Sequence, residues 1–261
     1  HLMELLLMID AARGASAGQI TAVIPHYSYA RSDKKDASRI SLGGRLVADL
    51  LVTAGVSRVL TMQLHAPQVQ GFFKCPVDQL TALGVLAEHF QGANLDNAIV
   101  VSPDLGNAKN ATQFARLLGL PVAAGSKRRL ADDKVVVDSI VGDVAGRNAI
   151  VLDDEISTGG SVVELCQRLK DFGALSASVA CTHGLFAGRA VERLRGLAFI
   201  SEVVCTNTVP APQNWPELKV ISVAPLFAEA IDRIHRGRSV SKMFADVDPV
   251  YAPPTVPEAL F

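Results

Sequence analysis

The stretch Ile150-Val151-Leu152-Asp153-Asp154-Glu155-Ile156-Ser157-Thr158-Gly159-Gly160-Ser161 decides the fold. It opens as an apolar run and places two carboxylates at the tip. A short loop of hydroxyl-bearing residues and glycines then leads into an amphipathic segment, 160–172. A strand apolar at nearly every position is covered on both faces, so the run predicts a parallel sheet. Glycines let backbone N–H groups converge, and the N-terminus of the following helix adds partial positive charge. Both suit the loop to a phosphate. Asp153 and Asp154 are placed to accept hydrogen bonds from sugar hydroxyls, or to hold Mg²⁺ through water. Taken alone, the segment also reads as a solvated acidic turn followed by a Thr/Ser helix cap.

Outward from this stretch, the chain alternates short apolar runs with amphipathic ones. Residues 20–25, 56–62, 98–102, 121–124, 149–153, 177–182 and 203–206 are expected strands. Residues 41–54, 77–90, 109–118, 160–172 and 189–194 are expected helices. Such alternation predicts an α/β fold with right-handed crossovers. Polar clusters follow Pro25, Met62, Ser102 and Leu152, where open α/β sheets hold their ligands, just beyond the carboxyl ends of strands. The opening His1-Leu2-Met3-Glu4 reads as a helix already under way, so sequence upstream of it is expected. The Pro-rich tail 249–257 is expected to lack packed structure of its own.

Composition narrows the function classes. The 261 residues are 49% hydrophobic and 20% charged, a folded chain with room for one large domain or two modest ones. A net charge of −1 supplies no global field for nucleic acid or an anionic membrane, so an anionic ligand must be held by local groups. Cys75, Cys166, Cys181 and Cys205 are widely spaced, which argues against a disulfide framework or a zinc site. The apolar run 2–12 contains Glu4 and Asp10 and is too short to cross a bilayer. A soluble cytoplasmic protein is expected.

The segment from Asp153 to Ser161 resembles the ribose-5-phosphate loop shared by type I phosphoribosyltransferases and ribose-phosphate pyrophosphokinases. Other segments favour the second branch. Tyr29-Ala30-Arg31-Ser32-Asp33-Lys34-Lys35-Asp36 resembles its nucleotide segment, and Thr61 to Phe73, centred on His65, resembles its metal signature. Ser102-Pro103-Asp104-Leu105-Gly106-Asn107-Ala108-Lys109, Thr182 to Phe186, Thr206 to Pro210 and Ser239 to Phe244 are also similar. The resemblance runs from His1 to about Val247.

The resemblance implies an Mg²⁺-dependent transfer of the β,γ-diphosphoryl group of ATP to O1 of ribose 5-phosphate, giving phosphoribosyl pyrophosphate and AMP. It further implies that Lys127 and Arg129, in a mobile loop at 125–134, neutralise the transferring phosphates. Arg31, Ser32, Asp36 and His65 would hold ATP. Asp153, Asp154, Ser157, Thr158, Gly159, Gly160 and Ser161 would hold the sugar phosphate, and His65 and Asp104 the metal. Ser239 and Ser241 match an allosteric phosphate turn, or equally a Ser-rich helix stop. Without the family, Lys127-Arg128-Arg129 reads as a solvated basic turn, His65 as a strand-end histidine, and Arg31 as a loop solubiliser. His183 is read as structural.

By the same resemblance, two similar type I phosphoribosyltransferase-like α/β domains flank the active site. They would comprise 1–82 plus 224–261, the first lacking its N-terminal part, and 83–223. A homo-oligomer, a hexamer built from dimers, is implied as well. Some positions depart from the family pattern. Gln63 stands where an Asp is usual, Ser157 replaces an acid, Ser32 replaces a Gln, and Leu105 and Asn107 alter a Gly-rich loop. A nucleotide-clasping hairpin of the family lies before the region matching His1. These departures keep a second expectation open, a weakly active or inactive paralogue that regulates an active homologue.

Overall fold

The computed structural model of the chain describes residues 1–131 and 134–244, with the backbone alone for 127–131 and 134–138. Contacts divide the chain into two units, His1–Thr81 and Ala82–Phe261. The first holds α1 (Leu2–Gly14), β1 (Thr21–Ile24), α2 (Gly43–Ala54), β2 (Arg58–Met62) and β3 (Val77–Leu80). Its three strands pair in parallel in the order β1-β2-β3. Ile9 of α1 and Val47 and Leu51 of α2 share a core with Ala22 and Val59 of the sheet, as amphipathic helices over an apolar sheet require.

The helix expected at 77–90 is in fact two elements. Val77-Asp78-Gln79-Leu80 extends beside β2, with Val59 opposite Val77, and Arg58 pairs with Asp78. The helix starts only at Leu83. Four residues are too few for periodicity to separate strand from helix, and the neighbouring strand decides.

The second unit contains α3 (Leu83–Gln91), β4 (Ala98–Ser102), α4 (Ala108–Leu118), β5 (Val122–Ala131) and β6 (Lys134–Val141). It continues with β7 (Asn148–Ile156), α5 (Gly160–Asp171), β8 (Ser176–Gly184), α6 (Ala190–Arg195), β9 (Ile200–Thr206), β10 (Leu218–Ile221) and α7 (Ala224–His235). The sheet runs β10-β9-β8-β7-β4-β5-β6, parallel except for the β5–β6 pair. On one face Val162, Leu165, Cys166 and Leu169 of α5 and Ala190 and Leu194 of α6 pack on Val101, Val151, Val179 and Val203. Burial of each fully covered Leu there contributes about 1.5–3 kcal/mol. Elsewhere in the unit α3 packs on α4, where Phe90 and Phe114 meet edge to face with ring centroids 6.0 Å apart.

Other elements also depart from the sequence expectation. The stretch 125–134, expected as a loop, has its described backbone in β5 and β6, which pair antiparallel with register shifts. β10 lies where no strand was expected, because Leu218 to Ile221 extends the sheet beside Val203 to Thr206. β7 outlasts the apolar run. It continues through Glu155 and Ile156 because His183 and Gly184 of β8 lie opposite them, so the two aspartates sit inside a strand.

This strand order creates the site. β4 and β7 are neighbours, yet the chain leaves β4 for β5 on one side and β7 for β8 on the other. The loops after β4 and β7 therefore diverge and leave a crevice at the carboxyl ends, the usual ligand position in such sheets.

Candidate functional site

Acidic groups flank this crevice. The Asp154 backbone N–H donates to Asp153 Oδ1 at 2.9 Å. Asp153 is half-buried at the surface yet closely surrounded by protein atoms. Burial, then the negative charges of Asp154 and, more weakly, Asp104, push its carboxyl well above the usual carboxylate range. Asp104 caps a short 3-10 turn after β4, its Oδ1 accepting from the Asn107 N–H at 3.1 Å. Asn107 Nδ2 reaches across and donates to the Leu152 carbonyl at 2.8 Å, while its Oδ1 accepts from Asn110 Nδ2 at 2.7 Å. Asn107 thereby fastens the Asp104 turn to the strand end that carries Asp153. A Gly there could not do this.

The loop after β7 is held from behind. The Ile156 carbonyl accepts from the N–H groups of Leu185 and Phe186 at 3.0 and 3.1 Å, and the Ser157 carbonyl from Ala187 N–H at 2.9 Å. The Thr158 carbonyl accepts from Arg193 Nη1 at 3.0 Å, and the Gly159 carbonyl from Val163 N–H at 3.0 Å. Four consecutive carbonyls are thus engaged. Gly159 is left-handed, with φ 72°, and turns the chain into α5 at Gly160. The first N–H groups of α5 have no partner within the helix and lie at its positive end. Ser157 is half-buried, and Thr158 and Ser161 are exposed beside them. This is a cradle for an anion, next to carboxylates that can accept from hydroxyls.

The ends of β8 and β9 are tied by side chains. His183 is buried, with Nδ1 2.8 Å from Thr208 Oγ1. Thr206 and Thr208 both donate to the Thr182 carbonyl, at 2.7 and 3.2 Å. His183 is therefore part of the packing that supports the strand ends.

The other sequence-selected residues are dispersed. Arg31, Asp36 and His65 are exposed on loops of the first unit. Ser32 is engaged locally: its hydroxyl donates to the Ser41 carbonyl and accepts from Gly43 N–H, both at 2.9 Å, which fixes the loop to the start of α2. Gln63 is buried with φ 39°, and its Oε1 accepts from Thr81 Oγ1 at 3.2 Å. His65 belongs to the first unit and Asp104 to the second. Among the described residues no group of three or more His, Cys, Asp or Glu is arranged to hold a metal. Lys127 and Arg129 have their backbone in β5, and their side chains lie outside the described part. Ser239 and Ser241 are exposed after α7, and the Ser239 carbonyl accepts from Arg233 Nη1 at 3.0 Å. Sequence reasoning missed Asn107 as a tie and Arg193 altogether. Arg193 lies 35 positions beyond Thr158, and no local spacing marks it.

Comparison with known proteins gives this geometry a family. Residues 1–55 match the model described as the N-terminal domain of ribose phosphate pyrophosphokinase, and residues 130–245 that of a phosphoribosyl synthetase-associated domain. A Streptomyces coelicolor protein is 63% identical over 246 residues, which are 94% of this chain and 78% of that one. The ribose-phosphate pyrophosphokinase of Deinococcus radiodurans is 52% identical over 250 residues, 93% of this chain and 78% of its own. The crystal structure of phosphoribosylpyrophosphate synthetase from Mycobacterium smegmatis superposes with a TM-score of 0.83 at 40% identity, covering 90% of this chain and 78% of that one. By its sequence, its strand order and the loop after β7, the chain belongs to the ribose-phosphate pyrophosphokinase family.

Proposed function

We propose that this protein is a ribose-phosphate diphosphokinase. O1 of ribose 5-phosphate attacks the β-phosphorus of ATP, the bond from that phosphorus to the α,β-bridging oxygen breaks, AMP leaves, and the hydroxyl proton passes to solvent. The observation that carries the reading is the crevice between β4 and β7, with an anion cradle at Thr158–Ser161 beside Asp153 and Asp154. Relatives named for this activity support it and do not favour the regulatory paralogue.

In this reading the 5-phosphate rests on the N–H groups at the start of α5, with Ser157, Thr158 and Ser161 offering hydroxyls. Asp153 and Asp154 accept from the ring hydroxyls and orient O1. Lys127 and Arg129 act on the transferring phosphates, and Arg31, Asp36 and His65 on the nucleotide, with Ser32 setting their loop. Transfer of this kind depends on alignment and charge stabilisation more than on covalent help from the protein. Asp104 and His65 are the residues the resemblance gives to Mg²⁺, a set small enough to leave the remaining positions to phosphates and water. When bound, with Asp104 and His65 as its protein contacts, Mg²⁺ would neutralise negative charge on the phosphates.

Several further features belong to the same proposal. The domains would be 1–82 with 224–261, and 83–223, and the chain would form a homo-oligomer, with Ser239 and Ser241 at a regulatory phosphate. A cytoplasmic location fits metabolic relatives; no helix among the described residues is long and apolar enough to cross a membrane. AMP release from ATP, Mg²⁺ and ribose 5-phosphate tests the activity directly. No turnover, with ribose 5-phosphate still bound, would favour the regulatory alternative. Lys127→Ala is expected to lower kcat about 100- to 1,000-fold, as loss of a transition-state charge does, with ribose 5-phosphate affinity within about threefold.

A further inference from the structure

We propose that Arg193 is a positioning residue for the phosphate loop, holding the Thr158–Gly159 peptide so that its N–H, not its carbonyl, faces the anion. The inference rests on the sugar-phosphate reading of this loop and adds a residue to it.

Peptide geometry makes the argument. The chain contains no cis peptide among its described bonds, and in a trans peptide the C=O and the following N–H point in opposite directions. Arg193 Nη1 holds the Thr158 carbonyl at 3.0 Å, so the Gly159 N–H points away from the guanidinium. The neighbouring carbonyls are held by backbone N–H groups, those of Ile156 and Ser157 from segment 185–187 and that of Gly159 from within α5. Only the Thr158 carbonyl in this run is held by a cationic side chain.

That peptide has a glycine on its far side and can rotate. Gly159 sits at φ 72° and has no Cβ to resist a change of conformation. Rotation would turn the Thr158 carbonyl oxygen, a negative partial charge, towards the bound phosphate and withdraw an N–H. Arg193 opposes this with a charge-assisted hydrogen bond. Its Nη1 also lies 3.7 Å from the Cβ position of Gly160, so a positive charge stands beside the α5 N-terminus. Arg193 is not paired with the nearest acid on its own helix, since Glu192 bonds to Arg189.

Two variants separate the tie from the charge. Arg193→Met removes both, and Arg193→Gln keeps a donor without the charge. KM for ribose 5-phosphate is expected to rise about tenfold for Met, the scale of losing one charge-assisted hydrogen bond, and by less for Gln. KM for ATP and kcat are expected to stay within about threefold. Titration calorimetry with ribose 5-phosphate should follow the KM values, and melting curves report whether each variant is folded. A variant merely damaged in its fold would lose kcat at unchanged KM, and that pattern overturns the proposal. So does a wild-type KM in the folded Arg193→Met variant, whereas a wild-type KM for Arg193→Gln alone assigns the effect to the tie and not to the charge. If the wild-type protein itself binds no ribose 5-phosphate, the sugar-phosphate reading fails first, and this role with it.

Discussion

Asp153→Asn is expected to weaken ribose 5-phosphate binding about 10- to 100-fold while raising the melting temperature at pH 8. The first effect is the loss of one of the two acceptor oxygens offered to the sugar hydroxyls, worth about 1–3 kcal/mol. The second follows from the state of the native carboxyl. Burial, Asp154 and Asp104 raise its pKa well above the ordinary value of 3.8, so the folded chain holds this proton more tightly than the unfolded chain. Stability from that proton is fully present below pH 3.8 and is lost as pH rises through the raised folded pKa. Above pH 3.8 the unfolded carboxyl ionises, so folding must either leave Asp153 charged among like charges or bind a proton to it, and either way the group costs stability. Asn keeps an oxygen able to accept the Asp154 N–H and removes the charge. A gain of about 1 kcal/mol would raise Tm by about 2–4 °C in a chain of this size. The gain should shrink as pH falls. Melting curves at pH 5 and pH 8, with calorimetric titration of the sugar phosphate, check both halves. Equal affinity in the variant would remove Asp153 from the sugar site, and a gain independent of pH would remove the electrostatic account.

The second large effect is expected at Gly184, at the end of β8. A Cβ added there would lie 2.3 Å from Phe186 Cε2, 2.8 Å from Cζ and 3.1 Å from Cys205 Cβ. The ring has little room to retreat, because it packs edge to face on Trp215 with centroids 5.1 Å apart and its own backbone is at φ 44°. Gly184→Ala is therefore expected to cost about 3 kcal/mol, the upper end of ordinary overpacking, and to lower Tm by about 6–12 °C. The damage reaches function through the backbone. Phe186 and Leu185 donate to the Ile156 carbonyl, and Ala187 to that of Ser157, so a displaced ring loosens the loop after β7. KM for ribose 5-phosphate should rise in whatever fraction stays folded. Shortening the ring in the double variant Gly184→Ala/Phe186→Leu should recover part of the loss. A Gly184→Ala protein that melts like the parent would show the ring to be elsewhere.

The two cases differ in how far they could be read in advance. Asp153 is legible from its own neighbours: an apolar run ending in carboxylates, then glycines and hydroxyls, carries its chemistry within a dozen residues. Nothing around Gly184 announces a clash, because Phe186, Trp215 and Cys205 meet there only once β8 and β9 pair. The misread strand β3 makes the same point at the level of secondary structure. Val77 to Leu80 is ambiguous alone and becomes a strand because β2 offers a partner. Ser32 was selected as a nucleotide contact by resemblance, yet its hydroxyl is engaged with Ser41 and Gly43, neighbours that sequence spacing does not mark as partners.

Apolar periodicity and residues adjacent in the chain were enough to read the α/β alternation and the candidate loop after β7 with its neighbouring carboxylates. Only the tertiary structure decided that β4 lies beside β7, that Asn107 bridges them, and that Arg193 grips Thr158. Those contacts join residues 35 and 45 positions apart, and their energies exist only after the sheet order has brought the partners together.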